Sequence, residues 1–212
     1  MKIPLIKSPN YDKKTRPKKN VIFVIIHYTG MQSEIESINR LCDNKSKVSC
    51  HYFINRKGRV LQLVKENKVA WHAGKSKWKN FKNLNRKSIG IELCNKGHEF
   101  GYQNFSKPQI VCLLKLCKKL KKKYKIKNEN FLGHSDVSPL RKQDPGEKFP
   151  WKKLSKFNIG IWYKKRMPKT VVEKKYIRSI FFRNLFRIGY RYFNINKRNK
   201  KDRYIITAFQ RR

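Results

Sequence analysis

Two histidines and an aspartate stand at positions where they could bind a metal ion. His27 directly follows the apolar run of residues 21–26, and α/β folds place ligand groups at the C-terminal ends of buried strands. His134 lies in a turn-rich stretch, and Asp144 comes ten residues later. Two imidazoles and one carboxylate are the usual protein ligands of a catalytic zinc ion with an open coordination position. In a chain with five histidines, this spacing alone still favours core or capping histidines.

A carboxylate on a predicted strand strengthens the metal-site interpretation. The strand covers residues 88–94, and its period of two leaves Glu92 on a face of small residues, namely Ser88, Gly90 and Cys94. Burying a carboxylate without a partner is costly. Glu92 is therefore predicted either to pair with one of the many lysines or to act as a base toward a water molecule at the metal.

The elements that must position these residues are predicted by periodicity. The β-branched and aromatic run 21–26 is typical of a strand buried on both faces. The other predicted elements are a helix after a capping box at Ser33 and Glu36, a hairpin of residues 51–54 and 59–64, and a long helix capped by Ser106 and Gln109. Alternating strands and helices favour an α/β layer built on one central sheet.

The sequence changes character after Trp151. Residues 159–170 are basic, contain Gly160 and Pro168, and predict a linker. Residues 171–212 predict an amphipathic helix that ends near Gly189 and a final helix. Two helices of this size form a marginal unit. They are expected either to pack against the main domain or to be part of a larger module.

The charge is the unusual feature of the composition. The chain has 54 Lys and Arg against 13 Asp and Glu, which gives a net charge of +41. This imbalance implies an anionic partner or a compositional bias toward lysine. Binding to nucleic acid would weaken steeply with salt, but the sequence contains no helix-turn-helix, zinc-finger or aromatic-basic motif. Since the lysines are scattered over loops and outer helix faces, a solvated surface is the default interpretation.

Cysteines and hydropathy bear on the compartment. The five cysteines include no Cys-x-x-Cys pair, so neither a disulfide framework nor a thiolate zinc cluster is indicated. No apolar run approaches the roughly 18–20 residues of a membrane span, and the first residues lack the apolar stretch of a secretory signal. The expectation is a cytoplasmic protein without a membrane span, with the periplasm or cell envelope as the alternative.

Five ordered segments resemble one known family. They are residues 24–30 (Val-Ile-Ile-His-Tyr-Thr-Gly), 49–54 (Ser-Cys-His-Tyr-Phe-Ile), 70–74 (Ala-Trp-His-Ala-Gly), 85–92 (Asn-Arg-Lys-Ser-Ile-Gly-Ile-Glu) and 133–146 (Gly-His-Ser-Asp-Val-Ser-Pro-Leu-Arg-Lys-Gln-Asp-Pro-Gly). Together they resemble the zinc-dependent N-acetylmuramoyl-L-alanine amidases of the AmpD/AmiD type, relatives of phage T7 lysozyme and the peptidoglycan recognition proteins. The resemblance covers roughly residues 20–152.

The resemblance implies a fold, a cofactor and a reaction. The fold is a mixed central sheet flanked by helices, with one zinc ion per chain in a surface cleft. His27, His134 and Asp144 match the family's metal ligands, Glu92 its catalytic carboxylate, and Lys142 the lysine that steadies the tetrahedral intermediate. The reaction is hydrolysis of the amide bond between N-acetylmuramic acid, or its 1,6-anhydro form, and L-alanine.

Three further residues are candidates for contact with substrate. Trp71 and His72 either line the cleft or pack at the base of a loop. Asn85 either hydrogen-bonds the stem peptide or simply begins the strand. His51 is interpreted as a satisfied neighbour of the site rather than a ligand, and His98 as a solvated loop residue.

The predicted organisation is a basic leader (1–20), a zinc amidase domain (21–158), a linker (159–170) and a helical segment (171–212). This last segment resembles part of the family's peptidoglycan-binding module, which continues through another helix in longer members. The expected partner is peptidoglycan or a muropeptide, without specific nucleic-acid binding. A non-catalytic peptidoglycan-binding protein of the same fold is the alternative. Cytoplasmic members act on 1,6-anhydro-muropeptides, so the compartment bears on the substrate.

Overall fold

The structure is a computed structural model that describes residues 3–163 and 171–212, without the side chains of residues 171–175. Its strands are β1 (Tyr11–Asp12), β2 (Phe23–Tyr28), β3 (Tyr52–Ile54), β4 (Val60–Gln62), β5 (Val69–Ala70), β6 (Lys77–Trp78), β7 (Phe81–Lys82), β8 (Ser88–Leu93) and β9 (Phe131–Gly133). Its α-helices are α1 (Glu34–Cys42), α2 (Lys107–Tyr124), α3 (His134–Val137), α4 (Trp151–Ser155), α5 (Val171–Ile188) and α6 (Asp202–Gln210).

The centre is a five-stranded sheet in the order β4-β3-β8-β2-β9. Strands β3, β8, β2 and β9 are parallel, and β4 pairs antiparallel with β3. This confirms the mixed sheet. Strand β2 lies two residues later than the predicted run 21–26, because it includes His27 and Tyr28, which pair with Glu92 and Leu93 of β8. His27 is therefore the penultimate residue of its strand rather than the residue after it.

One face of the sheet is covered by α2 and α4. The alternation predicted for β8 is confirmed, because Ile89, Ile91 and Leu93 all enter the core on this face. The apolar stripe of α2, including Leu113 and Leu120, packs against them. Both predicted capping serines are used: each hydroxyl accepts from the backbone N–H three residues later. The strand alternation, the apolar stripe and the capping serines, all local patterns in the sequence, thus predict the elements and the packing on this face of the sheet.

The opposite face is covered by α5 and α6. Phe23 and Ile25 of β2 share one apolar cluster with Phe182 and Leu185 of α5 and Ile205 of α6. The C-terminal segment therefore packs directly on the sheet that carries the predicted site. Of the predicted linker, residues 164–170 lie outside the described residues, whereas Ile159 is buried in the core beneath α2.

The predicted basic leader is also packed against the domain over its described part, residues 3–20; residues 1 and 2 lie outside it. Strand β1 pairs antiparallel with β5. Ser8, Asn10 and Arg16 are buried, and the Ser8 hydroxyl donates to the carbonyl of Leu41. Among the described residues, no helix has both the length and the hydropathy needed to cross a membrane.

Candidate metal centre and its cleft

Three of the predicted site residues come from the carboxyl ends of adjacent parallel strands. In the register of the sheet, His27 of β2 lies opposite Glu92 of β8. On the other side of β2, Ile26 pairs with Gly133, the last residue of β9. His134 follows immediately as the first residue of α3. Because parallel strands end at the same edge, the sheet itself brings these three side chains together.

The fourth residue, Asp144, is brought to this edge by a loop. Its backbone carbonyl accepts from the N–H of Ser135 at 2.8 Å. The loop lies so close to the end of β9 that a Cβ on Gly133 would be 2.7 Å from Cδ of Pro145. Glycine at position 133 is therefore needed for Asp144 to reach the ligand histidines.

The ligand atoms of His27, His134 and Asp144 converge on one point. The two Nδ1 atoms are 3.0 Å apart, and Asp144 Oδ2 lies 3.0 Å from Nδ1 of His27 and 3.1 Å from Nδ1 of His134. All three residues are buried. Metal bonds of about 2.0 Å in a tetrahedron separate neighbouring ligand atoms by about 3.3 Å. The cluster therefore fits one metal ion, and the three predicted ligands lie together.

The electrostatics keep these groups in forms that bind metals. Burial and the neighbouring His134 lower the pKa of His27 to about 4, so its imidazole is neutral near pH 7. Burial alone would raise the pKa of Asp144, but the two histidines hold it well below its usual range. Metal ligation requires neutral imidazole and ionised carboxylate.

Glu92 has the features of a proton carrier. Its Oε2 is inaccessible to solvent and has no hydrogen-bond partner among the described residues. Burial and the nearby Asp144 carboxylate raise the pKa of Glu92 to about 8, and Lys142 partly opposes this rise. The salt-bridge alternative is therefore not what the structure shows. A carboxyl group with a pKa near neutrality can both accept and donate a proton during turnover.

The cluster lies in a cleft of about 600 Å³ that Glu92 and Lys142 also line. This volume lies in the range of small-molecule sites. Two of the predicted substrate residues, Trp71 and His72, line the cleft as well. The Trp71 indole donates to Asp12 of β1 at 2.8 Å, so the packed N-terminal segment helps to build the wall.

Asn85 does not line this cleft, and its side chain has a structural role. Its Oδ1 accepts from the backbone N–H groups of His72 at 3.1 Å and of Ala73 at 2.7 Å. These bonds make the side-chain oxygen of Asn85 an acceptor for the backbone of the loop. The structure therefore favours the interpretation in which Asn85 holds a loop over direct contact with substrate.

The two remaining histidines have different environments. His51 is buried, accepts from the N–H of Gly90 at 3.0 Å and contacts Arg16 at 2.8 Å, so it is a satisfied neighbour as predicted. His98 lies in a turn, as predicted, but it is only partly exposed and contacts two tyrosines. Its ring stacks on Tyr102 at 4.4 Å between centroids, and its Nδ1 lies 2.8 Å from the hydroxyl of Tyr28. No local pattern in the sequence indicates the contact with Tyr28, since that residue ends strand β2, 70 positions earlier in the chain.

A cluster that could hold a metal ion, beside a buried carboxyl group at the carboxyl edge of an α/β sheet, is the arrangement expected of a metal-dependent hydrolase. The family model described as N-acetylmuramoyl-L-alanine amidase matches residues 17–147. The chain belongs to this amidase family.

Individual relatives agree with this assignment. The chain is 37% identical over 175 residues to N-acetylmuramoyl-L-alanine amidase AmiD of Escherichia coli, an alignment that covers 74% of this chain and 62% of that protein. It is 32% identical to 1,6-anhydro-N-acetylmuramyl-L-alanine amidase AmpD of Haemophilus influenzae, with 70% and 88% covered. The chain thus spans less than two thirds of the length of the Escherichia coli relative.

Two solved structures are similar over nearly the whole chain. AmiD of Escherichia coli, in complex with the substrate anhydro-N-acetylmuramic acid-L-Ala-D-γ-Glu-L-Lys, has a TM-score of 0.76 at 33% identity, covering 94% of this chain and 82% of that one. AmpDh3 of Pseudomonas aeruginosa, in complex with anhydromuramic pentapeptide, has a TM-score of 0.78 at 29% identity, covering 97% and 88%. The C-terminal helices therefore fall within the region of similarity.

Proposed function

We propose that this protein is a zinc hydrolase that cleaves the amide bond between N-acetylmuramic acid, or its 1,6-anhydro form, and L-alanine. The observation that carries the proposal is the convergence of His27, His134 and Asp144 within about 3 Å of one another beside Glu92. A donor set of two imidazoles and one carboxylate suits zinc and leaves room for substrate or water. When bound, zinc would supply Lewis-acid chemistry, which polarises a carbonyl and makes water nucleophilic near neutral pH.

Glu92 would act first as the general base and then as the general acid of this reaction. Its raised pKa lets the carboxylate take a proton from the attacking water and pass it to the nitrogen of the leaving L-alanine. The amide nitrogen is a poor leaving group unless it is protonated, so this transfer matters as much as the attack. Removing a positioned acid or base of this kind typically costs about 10²–10⁴-fold in rate.

Lys142 would stabilise the negative charge that develops on the carbonyl oxygen. It lines the same cleft as Glu92 and the ligands, and its positive charge lowers the pKa of Glu92. A single donor to an oxyanion contributes about 2.7–4 kcal/mol in other enzymes. We therefore propose that Lys142 stabilises the transition state rather than the bound substrate.

The substrate class is supported by the relatives. AmiD of Escherichia coli and AmpDh3 of Pseudomonas aeruginosa have both been solved with anhydromuramic peptides. Trp71 in the cleft wall offers an apolar surface for a sugar or peptide. All five cysteines are free, which supports a reducing compartment and, with it, a role on soluble 1,6-anhydro-muropeptides in the cytoplasm.

The experiment is mass spectrometry of products from purified protein given either 1,6-anhydro-muropeptides or intact sacculi. Release of free stem peptides, lost with a chelator and restored by zinc, is the expected result. Faster cleavage of the soluble substrate would support the cytoplasmic role, and faster cleavage of sacculi would support one in the cell envelope. If zinc-loaded protein cleaves neither substrate but binds both, the non-catalytic alternative replaces the amidase proposal. Failure to bind or cleave either substrate would overturn both.

A further inference from the structure

We propose that His72, on the loop between β5 and β6, is the positioning residue that keeps His27 in the tautomer able to bind the metal ion. The inference rests on the proposed metal site. It goes beyond that site because it assigns a role to a residue that contacts a ligand rather than the metal. It also replaces the predicted contact between His72 and substrate as the main role of this side chain.

The argument begins at Ser88, the first residue of β8. Its hydroxyl donates to the backbone carbonyl of Leu84 at 2.7 Å, and a carbonyl can only accept. The single hydroxyl hydrogen of Ser88 is therefore used. Nε2 of His72 lies 3.1 Å from the same oxygen, so this nitrogen must be the donor. The other neutral tautomer would leave two acceptors facing each other.

The proton on Nε2 of His72 determines what its Nδ1 can do. In a neutral imidazole with Nε2 protonated, Nδ1 is an acceptor, and burial disfavours the charged form. This Nδ1 lies 3.0 Å from Nε2 of His27, which must then carry a proton. The remaining nitrogen of His27, Nδ1, keeps its lone pair and faces His134 and Asp144. The chain of donors thus fixes the ligand atom.

The strand below His72 is shaped to hold its ring. A Cβ added to Gly90 would lie 2.4 Å from Cγ of His72 and 2.7 Å from its Nδ1, so any side chain at position 90 would displace the imidazole. Ser88 and Gly90 lie on the same face of β8 as Glu92. The small residues on this face are therefore the surface on which His72 lies.

The same loop also fixes the second ligand histidine. The carbonyl of Ala73 lies 3.2 Å from Nε2 of His134, which makes that nitrogen the donor and leaves its Nδ1 for the metal. Asn85 Oδ1 accepts hydrogen bonds from the backbone N–H groups of both His72 and Ala73. Residues 72 and 73 thus set the tautomers of both histidine ligands, and Asn85 anchors them.

The test uses two readouts that do not require amidase activity. Long-range proton–nitrogen NMR of the metal-free full-length protein reports which nitrogen of His27 carries the proton, and competition with a chromophoric chelator gives the zinc affinity. The expected tautomer of His27 has its proton on Nε2. His72→Leu is expected to populate both tautomers and to weaken zinc binding by about 10–100-fold, the usual cost of losing a partner of a ligand.

Matched variants separate positioning from general damage. In His72→Asn, the side-chain oxygen stands where Nδ1 was, so this variant should restore the tautomer and most of the affinity. Ser88→Ala removes the hydroxyl oxygen that accepts from Nε2 of His72. This variant should weaken zinc binding in the same way as His72→Leu, but by a smaller factor. Ser8→Ala is the control, since Ser8 is an equally buried serine that does not itself line the cleft and whose hydroxyl donates to the backbone carbonyl of Leu41.

Each outcome decides the proposal. A proton on Nδ1 of His27 in the wild-type protein, or unchanged zinc affinity in a folded His72→Leu variant, would overturn it. If His72→Leu does not fold, the tautomer of His27 in the wild-type protein and the zinc affinity of Ser88→Ala still test the proposal. Intact tautomer and zinc binding without peptide release would instead count against the proposed amidase function and leave the role of His72 standing.

Discussion

Arg212 and Asp136 form a buried ion pair across 76 residues of sequence, and the guanidinium donates to the carboxylate Oδ2. The same Asp136 oxygen accepts from the N–H of Gly133 at 2.8 Å, and its other oxygen accepts from the hydroxyl of Tyr190. Asp136 lies two residues after the proposed metal ligand His134. The residues that follow α5 and α6 are thus bonded to the short helix that begins with His134.

This buried ion pair should contribute more to the free energy of unfolding than a solvent-exposed ion pair would. Arg212→Ala is expected to lower the free energy of unfolding by about 3 kcal/mol, because it leaves a buried carboxylate without its counter-ion. Denaturant unfolding of the full chain measures this. Arg203→Ala, at an exposed position on α6, should change stability by less than about 0.5 kcal/mol. Equal effects of the two substitutions would show that the ion pair contributes nothing specific.

Replacement of Glu92 should separate chemistry from metal binding. Glu92→Gln is expected to lower the turnover number by about 10²–10⁴-fold, because an amide cannot take the proton of water. Zinc affinity should stay within a few-fold of wild type, since Glu92 is not one of the three ligands. Stem-peptide release and zinc titration on the same sample give both numbers, with Glu36→Gln on the exposed side of α1 as control. Wild-type turnover in the Glu92→Gln variant would remove Glu92 from the mechanism.

The raised pKa of Glu92 also predicts a pH dependence of stability in the metal-free protein. The folded-state pKa is raised from 4.5 to about 8, so the folded protein keeps a proton that the unfolded chain loses. The stability contributed by this proton is fully present below about pH 4.5 and is lost as the pH rises toward 8.

Glu92→Gln cannot lose that proton, so its advantage in stability over wild type should grow between pH 5 and pH 8. An increase of ~1 kcal/mol would raise the midpoint of thermal unfolding by about 2–4 °C for a chain of this size. Parallel melts of both proteins with a chelator present measure the difference. A constant difference across this range would show that Glu92 is already ionised in the fold.

Zinc should stabilise the fold through its three ligands. At a free zinc concentration of about 1,000 times Kd, binding contributes about 4 kcal/mol. Chelation should therefore lower the melting temperature of the wild-type protein and leave that of Asp144→Asn nearly unchanged. Thermal melts with and without zinc test this. A loss of melting temperature on chelation that is equal in both proteins would place the metal elsewhere.

The sequence by itself determined the central features of the site. Strand β2 reads as a continuous apolar run, and the alternation of β8 sets Glu92 apart from its apolar neighbours, because side-chain period follows directly from backbone geometry. The capping serines of α1 and α2 are equally local signals. Ordered motifs identified His27, His134 and Asp144, and the sheet register explains why the first two must meet.

The tertiary structure decided what depends on contacts between distant segments. The pairing of β1 with β5, the packing of α5 and α6 on the sheet, and the contact of His98 with Tyr28 leave no periodic trace in the sequence. The roles of Asn85 and His72 were likewise open, since a polar side chain near a cleft can face substrate or hold the loop. Only three-dimensional hydrogen-bond partners distinguish these, because the choice of partner is a property of the fold and not of the spacing.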